Sequence, residues 1–321
     1  MSLSNKIILL TGGTGSFGTK FTEIALKEFQ VKIIRVFSRG ELMQQKMREQ
    51  FNDKRLRFFI GNVRDKDRLY RAMNDVDIVV HAAALKQVPA CEYNPIEAIK
   101  TNIDGAINVI DAAIDNGVKK IMALSTDKAV YPINLYGATK LVAEKLFIQA
   151  NAYTGNQTLI SCVRYGNVIG SRGSIIPILK KQKQKGIVTI TDEKMTRFWI
   201  TQEQAVHFVI SCIERMHGRE IFIPKIPSMK IVDLVDVIAP KAQRKIIGIR
   251  PGEKIHETLL TREETRYSKE LPEYFIIEPK FPLWEEVVNK GRMLPRNFEY
   301  TSESNDRWLT KTDLKKMLEE Y

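Results

Sequence analysis

The chain has 321 residues, of which 44% are hydrophobic and 27% charged, with a formal net charge of +12, so it can bury a large core and divide into two domains. Its composition is that of a soluble intracellular enzyme, with no apolar run long enough to span a bilayer. Cys91, Cys162 and Cys212 show neither a metal-ligand spacing nor a disulfide framework, and they read as small core hydrophobes in a reducing compartment.

The N-terminal MSLSNKIILL enters a strand almost at once and lacks the regions of a secretory signal, which predicts a cytoplasmic protein. Residues 7–10 form that apolar strand, and TGGTGSFG follows at 11–18. Gly12 suits a tight turn, Gly15 the approach of backbone to a pyrophosphate, and Gly18 close packing of the next helix. Thr11, Gly12, Thr14, Gly15, Ser16, Phe17 and Gly18 are therefore candidate cofactor contacts, with the diphosphate at a helix N-terminus. The spacing is Gly-x-x-Gly-x-x-Gly, and a glycine triplet alone is weak evidence; its place between strand and helix strengthens it.

A second strand at 33–37 ends in Ser38 and Arg39. An acidic residue there would bind the ribose hydroxyls of NAD, whereas a hydroxyl and a guanidinium suit a 2′-phosphate and predict NADP. A solvated arginine is the alternative. Residues 58–60 read as a third strand, followed by Asn62 and Val63 on the adenine side. Residues 78–81 read as a fourth, followed by a wall of small residues from Ala82 that lets the cofactor come close. His81 reads as a core or sheet-end histidine. A helix is expected over 96–116, after Asn94 and Pro95.

Residues 120–124 form the next buried strand, and STDKAVYPINLYGATK follows at 125–140. With a helix from Leu135, Tyr136 and Lys140 are i and i+4 neighbours, so the ammonium can sit beside the phenol and favour a tyrosinate base. Asp127 and Lys128, an acid and a possible base, project at the carboxyl end of the strand, where open α/β sheets bind ligands. Taken alone, Tyr136 and Lys140 would be an ordinary helix pair; the strand, the STDK turn and the glycine loop favour a site.

Strands and helices alternate to about Tyr165, the rhythm of a Rossmann-like doubly wound parallel sheet in an α/β chain. After a sixth strand at 159–164 the segments shorten, marking a second, smaller α/β substrate domain. The expected division is a 1–165 cofactor domain, to which the chain returns at about 195–225, and a discontinuous 166–321 domain that holds a uridine diphosphate in its turns. A strand is expected at 187–190 and amphipathic helices at 202–215 and 231–238, one of them packing back on the first domain. The basic residues are interspersed with acids, and the dense run at 180–185 reads as a solvated helix end. The positive charge is thus assigned to two diphosphate ligands, with no nucleic acid, membrane or metal.

The motifs TGGTGSFG, FFIGNVRD, HAAALKQVP, LSTDKAVYPINLYGATK, VRYGNVIGSRGS, MTRFWIT, FIPKIPSMK and IGIRPGEKIHE together resemble the inverting UDP-N-acetylglucosamine 4,6-dehydratases of the extended short-chain dehydrogenase/reductase superfamily. The likeness runs nearly end to end and is greatest to the pseudaminic acid branch, which serves glycosylation of flagellin or other surface structures. A sister branch, feeding N-acetylfucosamine into capsule or lipopolysaccharide, carries methionine where this chain has Tyr136. Asn62 departs from the aspartate common in the family.

The resemblance implies a tightly bound NADP that is regenerated each cycle, UDP-N-acetylglucosamine as substrate, and a homo-oligomer, hexameric in form. Tyr136, assisted by Lys140, would take the C4 hydroxyl proton as hydride leaves C4. Asp127 and Lys128 would then remove the C5 proton and protonate the departing C6 hydroxyl. Hydride returns to C6 and a proton to the opposite face of C5, giving a UDP-linked 2-acetamido-4-keto-6-deoxy sugar of inverted configuration. For Lys128 to be the base it must be neutral part of the time, through desolvation and nearby cations. In the alternative, Lys128 only binds phosphate or orients substrate, and Asp127 makes both transfers. Thr126 is assigned to the sugar C4 oxygen.

Lys86, Asn167, Arg172, Ser174, Thr191, Arg250 and Glu253 are carried over as substrate contacts, with Lys86, Val168 and Arg172 also on the cofactor side. His256 and Glu257 read as helix-start or domain-packing residues. Two other readings stand beside this one. A UDP-sugar 4-epimerase or dehydrogenase would not need Asp127 and Lys128 as a pair, and a noncatalytic NADP-binding regulator would not need Tyr136 with Lys140.

Overall fold

The computed structural model describes residues 3–171, 173–279 and 289–319. Six parallel strands, β1 (Ile7–Thr11), β2 (Ile33–Ser38), β3 (Leu56–Ile60), β4 (Ile78–His81), β5 (Lys120–Leu124) and β6 (Leu159–Val163), lie in the order β3-β2-β1-β4-β5-β6. The order reverses between β1 and β4, which opens a crevice at the carboxyl edge of the sheet. All five residues of β1 and all four of β4 are buried, as expected of strands covered by helices on both faces. The chain is thus α/β with a doubly wound parallel sheet, and the strands fall within one or two residues of their predicted ends.

The sheet does not stop at β6. Strand Ile221–Pro224 pairs parallel to β6, and Tyr274–Ile277, Ser268–Glu270 and Arg292–Met293 follow it antiparallel, making ten strands. These late strands have two to four residues each, too few for alternation to be read from sequence. Helix Gln202–Arg215 begins with a capping box between Thr201 and Gln204 and packs on helix Ser16–Glu28. It is therefore the amphipathic helix that returns to the sheet.

A second apolar cluster lies outside the sheet and unites Ile176, Leu179, Val188, Trp199, Met229, Leu234 and Leu314. Helix Ile231–Ile238 contributes its buried face here, and strand Ile187–Ile190 pairs parallel with Gln243–Ile246 beside it. Sheet and second cluster enclose the crevice between them.

The helix expected over 96–116 is broken. Pro95–Ile99 and Gly105–Asp115 are α-helical, and Lys100–Asp104 between them is a π-helical turn. Two contacts accompany the irregularity. A Cβ on Gly105 would come within 2.7 Å of Val63 Cγ2, so the backbone is pressed against the segment after β3. Asn102 is buried and exchanges hydrogen bonds with the backbone N and O of Leu85, tying the turn to the end of the small-residue wall.

Candidate active site

A cavity of about 1070 Å³ occupies the carboxyl edge of the sheet and extends to the second cluster. Along one side lie Gly12, Thr14, Gly15, Ser16, Phe17 and Gly18, with Ser38, Arg39, Asn62, Val63 and Ala82. Gly12 has φ +66°, and a Cβ there would meet the backbone of Ala82 and Ala83 at 2.9 Å. The loop is thus folded hard against the wall after β4, which only glycine permits. Gly18 packs on the backbone of Gly13 within the loop itself, where a Cβ would lie 2.4 Å from the Gly13 oxygen. Gly15 caps helix Ser16–Glu28 without any side-chain hydrogen bond, leaving the helix N-terminus open to an anion. Thr11 is fully buried, and its hydroxyl lies 2.8 Å from Nδ1 of His81, so its side chain serves the core. Burial drives the His81 imidazole down to about 3.

At the far end of this side, Ser38 Oγ accepts a hydrogen bond from Gln44 Nε2 at 3.0 Å. Arg39 is exposed and makes no hydrogen bond or ion pair among the described residues. Asn62 Oδ1 accepts from the backbone of Arg64 at 3.2 Å and turns the chain beside the cavity.

Beyond β5, Asp127–Ala129 forms one 3₁₀ turn and helix Leu135–Ala150 begins at Asn134, whose side chain accepts from Gly137 N at 2.8 Å. The turn and the helix start are in contact. A Cβ on Gly137 would lie 2.1 Å from the Lys128 carbonyl oxygen, so Tyr136 and Lys128 are brought to one wall by a glycine the sequence reading passed over. Thr126, Lys128, Tyr136 and Lys140 all line the cavity. Asp127 does not. It is fully buried behind Lys128, with Oδ1 2.9 Å from Lys128 Nζ and 2.9 Å from Thr126 Oγ1.

Two electrostatic expectations are altered. Lys140 Nζ donates to the Leu124 carbonyl at 2.7 Å, and the cation that acts on the Tyr136 phenol is Lys128. Burial raises Tyr136 to about 12, against the opposing pull of Lys128 and the Thr126 hydroxyl, so the side chain is a phenol at neutral pH. The Lys128 side chain is 24% exposed, and its partial burial alone would favour the amine, but Asp127 and Glu257 together outweigh that loss of hydration and hold it as an ammonium. The cations near Lys128 do not make it neutral because two carboxylates touch it. Burial raises the Asp127 carboxyl, with Lys128 opposing.

Glu257 was not legible as part of the site. It is 2% exposed, and its Oε1 lies 3.2 Å from Lys128 Nζ. Its backbone is pinned by Ser302, with the Ser302 N–H donating to the Glu257 carbonyl at 2.8 Å and the Glu257 N–H donating to Ser302 Oγ at 2.9 Å. Since Ser302 is 45 residues away in sequence, no local pattern announces the contact.

On the other side of the cavity lie Asn167, Val168, Ser174, Thr191, Arg250 and Glu253, with Lys86 from the wall after β4. Asn167 Oδ1 accepts from Lys128 Nζ at 3.2 Å, and Thr191 Oγ1 lies 3.8 Å from Met195 Sδ. Among the described residues, Ser174 Oγ and Glu253 Oε2, which line the cavity, are buried without a hydrogen-bond partner, as are Asp127 Oδ2 and Glu257 Oε2, which do not line it. Unsatisfied polar atoms lining a cavity are the pattern of a site awaiting polar ligand groups. Arg172 lies outside the described residues.

The sequence profile of the polysaccharide biosynthesis protein family matches residues 8–279. The chain belongs to this family. It is 51% identical over 322 residues to a protein of Campylobacter jejuni named UDP-N-acetylglucosamine 4,6-dehydratase (inverting), covering 97% of this chain and 96% of that relative. It is also 44% identical over 282 residues to a Rickettsia conorii protein named UDP-glucose 4-epimerase, covering 85% and 83%. The X-ray structure of Pen from Bacillus thuringiensis superposes with a TM-score of 0.91 at 40% identity, over 100% of this chain and 99% of that one. The family membership accords with the extended short-chain dehydrogenase/reductase fold seen in the sheet order.

Proposed function

We propose that this protein is a UDP-N-acetylglucosamine 4,6-dehydratase that inverts C5, using NADP. The observation that carries the reading is the contact of Asp127 Oδ1 with Lys128 Nζ at 2.9 Å, on the wall that also presents Tyr136. A 4-epimerase needs a base at C4 alone, whereas eliminating water needs a second base and an acid together.

The glycine loop and the uncapped helix N-terminus fit a dinucleotide diphosphate, and the unpaired Arg39 fits a 2′-phosphate. A nicotinamide cofactor bound there supplies the hydride acceptor for C4 and the donor for C6. The chain's own residues handle the protons. The minor phenolate form of Tyr136, favoured by the Lys128 ammonium, accepts the C4 hydroxyl proton and becomes the phenol. The 4-ketone then acidifies C5.

Elimination requires a neutral amine and an acid at once. Transfer of one proton from Lys128 Nζ to Asp127 Oδ1 creates both, and the burial that raises the Asp127 carboxyl favours that transfer. Lys128 can then take the C5 proton. Asp127 has no surface of its own, so its proton reaches the C6 oxygen through the Thr126 hydroxyl, which lines the cavity 2.9 Å from Oδ1. The C6 hydroxyl departs as water, and as hydride reaches C6 a proton is delivered to the face of C5 opposite Lys128, which inverts that carbon. The free oxygens Ser174 Oγ and Glu253 Oε2, together with Arg250, fit the sugar hydroxyls and the diphosphate.

Tyr136 favours the pseudaminic acid branch over the N-acetylfucosamine branch for the product. No helix among the described residues is long and apolar enough to cross a membrane. The test is the mass of the nucleotide sugar after incubation of UDP-N-acetylglucosamine with the holoenzyme. Loss of one water supports the dehydratase, and a product of unchanged mass that is epimeric at C4 supports the epimerase reading favoured by the Rickettsia likeness.

A further inference from the structure

Lys128 is gripped from two sides. Asp127 approaches from its own 3₁₀ turn at 2.9 Å, and Glu257 from the segment before strand Thr258–Leu260 at 3.2 Å. Glu257 is in turn flanked by two cations, Arg197 Nε at 3.7 Å from Oε1 and Lys254 Nζ at 3.7 Å from Oε2. Neither cation is free to swing away. Arg197 donates to the backbone oxygens of Thr196, Lys254 and Ile255, and Lys254 Nζ donates to the Val130 carbonyl. Glu257 is fixed as well, by the paired hydrogen bonds with Ser302.

We propose that Glu257 is a positioning residue for Lys128: its carboxylate holds the amine in line with Asp127 and, balanced by Arg197 and Lys254, governs how readily Lys128 gives up its proton. The proposal rests on the dehydratase reading, with Lys128 as the base at C5.

The cluster has the geometry of a graded counter-charge. If Glu257 stood alone against Lys128, its full negative charge would favour the ammonium and oppose transfer to Asp127. Arg197 and Lys254 draw part of that charge to themselves while leaving the carboxylate oxygen in place. The remaining groups that face Lys128 are Asn167, whose Oδ1 accepts from Nζ at 3.2 Å, Lys86, from the wall after β4, and the Tyr136 phenol, from helix Leu135–Ala150. Lys86, like Arg197 and Lys254, disfavours a second cation. Glu257 is therefore the one carboxylate besides Asp127 in contact with Lys128 among the described residues, and removing its charge moves the proton balance one way while removing a cation moves it the other.

The experiment is the pH dependence of kcat for elimination from UDP-N-acetylglucosamine by the holoenzyme, compared for wild type, Glu257→Gln and Lys254→Gln. The acid limb reports protonation of the Asp127–Lys128 pair, which leaves Asp127 unable to take the proton that frees the amine. Glu257→Gln keeps the shape and deletes the charge, so its acid limb moves to lower pH, by about one unit. Lys254→Gln strengthens the hold of Glu257 on Lys128, so its acid limb moves to higher pH. A side chain that merely filled space would lower kcat without moving either limb. Wild-type elimination with both limbs unmoved overturns the role of Glu257 and leaves the dehydratase reading intact. If wild type gives no elimination, the dehydratase reading falls and this one with it. Should Glu257→Gln fail to fold, the Lys254→Gln limb alone decides, an upward shift supporting the role and an unmoved limb overturning it.

Discussion

Gly137 faces the carbonyl oxygen of Lys128 so closely that a methyl group would lie 2.1 Å from it. The obstacle is backbone, which cannot swing aside as a side chain would. This contact joins the 3₁₀ turn carrying Asp127 and Lys128 to the first turn of the helix carrying Tyr136 and Lys140, and so fixes the distance between the two chemical steps.

Gly137→Ala is therefore expected to push the helix start away from the turn. Overpacking of this kind costs about 1–3 kcal/mol. The loss of kcat should be at least tenfold, with the Michaelis constant changed less, because the substrate contacts on the far wall are untouched. Thermal unfolding together with steady-state kinetics checks both.

Lys128→Ala should separate the two halves of the reaction. C4 oxidation keeps Tyr136 and the cofactor and loses only the Lys128 ammonium beside the phenol, so it should slow by less than elimination, and reduced nicotinamide should build up on addition of substrate. Elimination should fall by about 10²–10⁴-fold, the usual worth of a positioned acid or base. Stopped-flow absorbance of the nicotinamide, set beside product formation, reads the two steps separately.

Much of this arrangement could be read from the chain. The strand preceding TGGTGSFG, the small-residue wall from Ala82 and the strand before STDK are continuous apolar runs, and each places its motif on the same edge of the sheet. What could not be read depends on contacts distant in sequence. Glu257 reaches Lys128 across 129 positions, since 257 − 128 = 129, and is held by Ser302. The direction taken by Lys140 was also hidden, because i and i+4 spacing permits a contact with Tyr136 but does not oblige it, and the Leu124 carbonyl at the end of β5 offers an acceptor at 2.7 Å. The charge state of Lys128 depended on a second carboxylate that no spacing revealed.

Arg39→Ala tests the cofactor. A guanidinium bound to a 2′-phosphate makes charge-assisted hydrogen bonds, each worth about 1.5–3 kcal/mol. Affinity of the apoenzyme for NADP should fall roughly ten- to a hundredfold. Affinity for NAD should stay nearly constant. Calorimetric titration with each dinucleotide gives the comparison, and equal losses for both would assign Arg39 to something other than the 2′-phosphate.

Acid stability should depend on His81. Its folded value, about 3, lies below the ordinary value of 6.5, so the unfolded chain takes up a proton that the folded chain refuses. The stabilisation is whole above 6.5 and is lost progressively as pH falls from 6.5 toward 3. Replacing His81 with Asn should flatten the pH dependence of unfolding free energy in that window, by up to about 1.4 kcal/mol per pH unit. Urea unfolding of both proteins at several pH values measures the difference.

Arg164 is 1% exposed and bridges Glu144 on helix Leu135–Ala150 to Glu264, with N–O distances of 2.6 and 2.7 Å. Glu144 also accepts from Ser125 Oγ at 2.8 Å, two residues before the 3₁₀ turn Asp127–Ala129. Arg164→Met would leave Glu144 buried without its cation. The cost is expected at about 3–5 kcal/mol, the range for breaking a buried ion pair from one side. Denaturant unfolding measures it.

The central claim is that water leaves the sugar and that C5, once Lys128 has removed its proton, is inverted. The most direct measurement is proton NMR of UDP-N-acetylglucosamine incubated with the holoenzyme in deuterium oxide, following the C6 methyl signal and the configuration at C5. The account predicts a new 4-keto-6-deoxy sugar with deuterium at an inverted C5. A C4 epimer that keeps its C6 hydroxyl and its C5 hydrogen would contradict it.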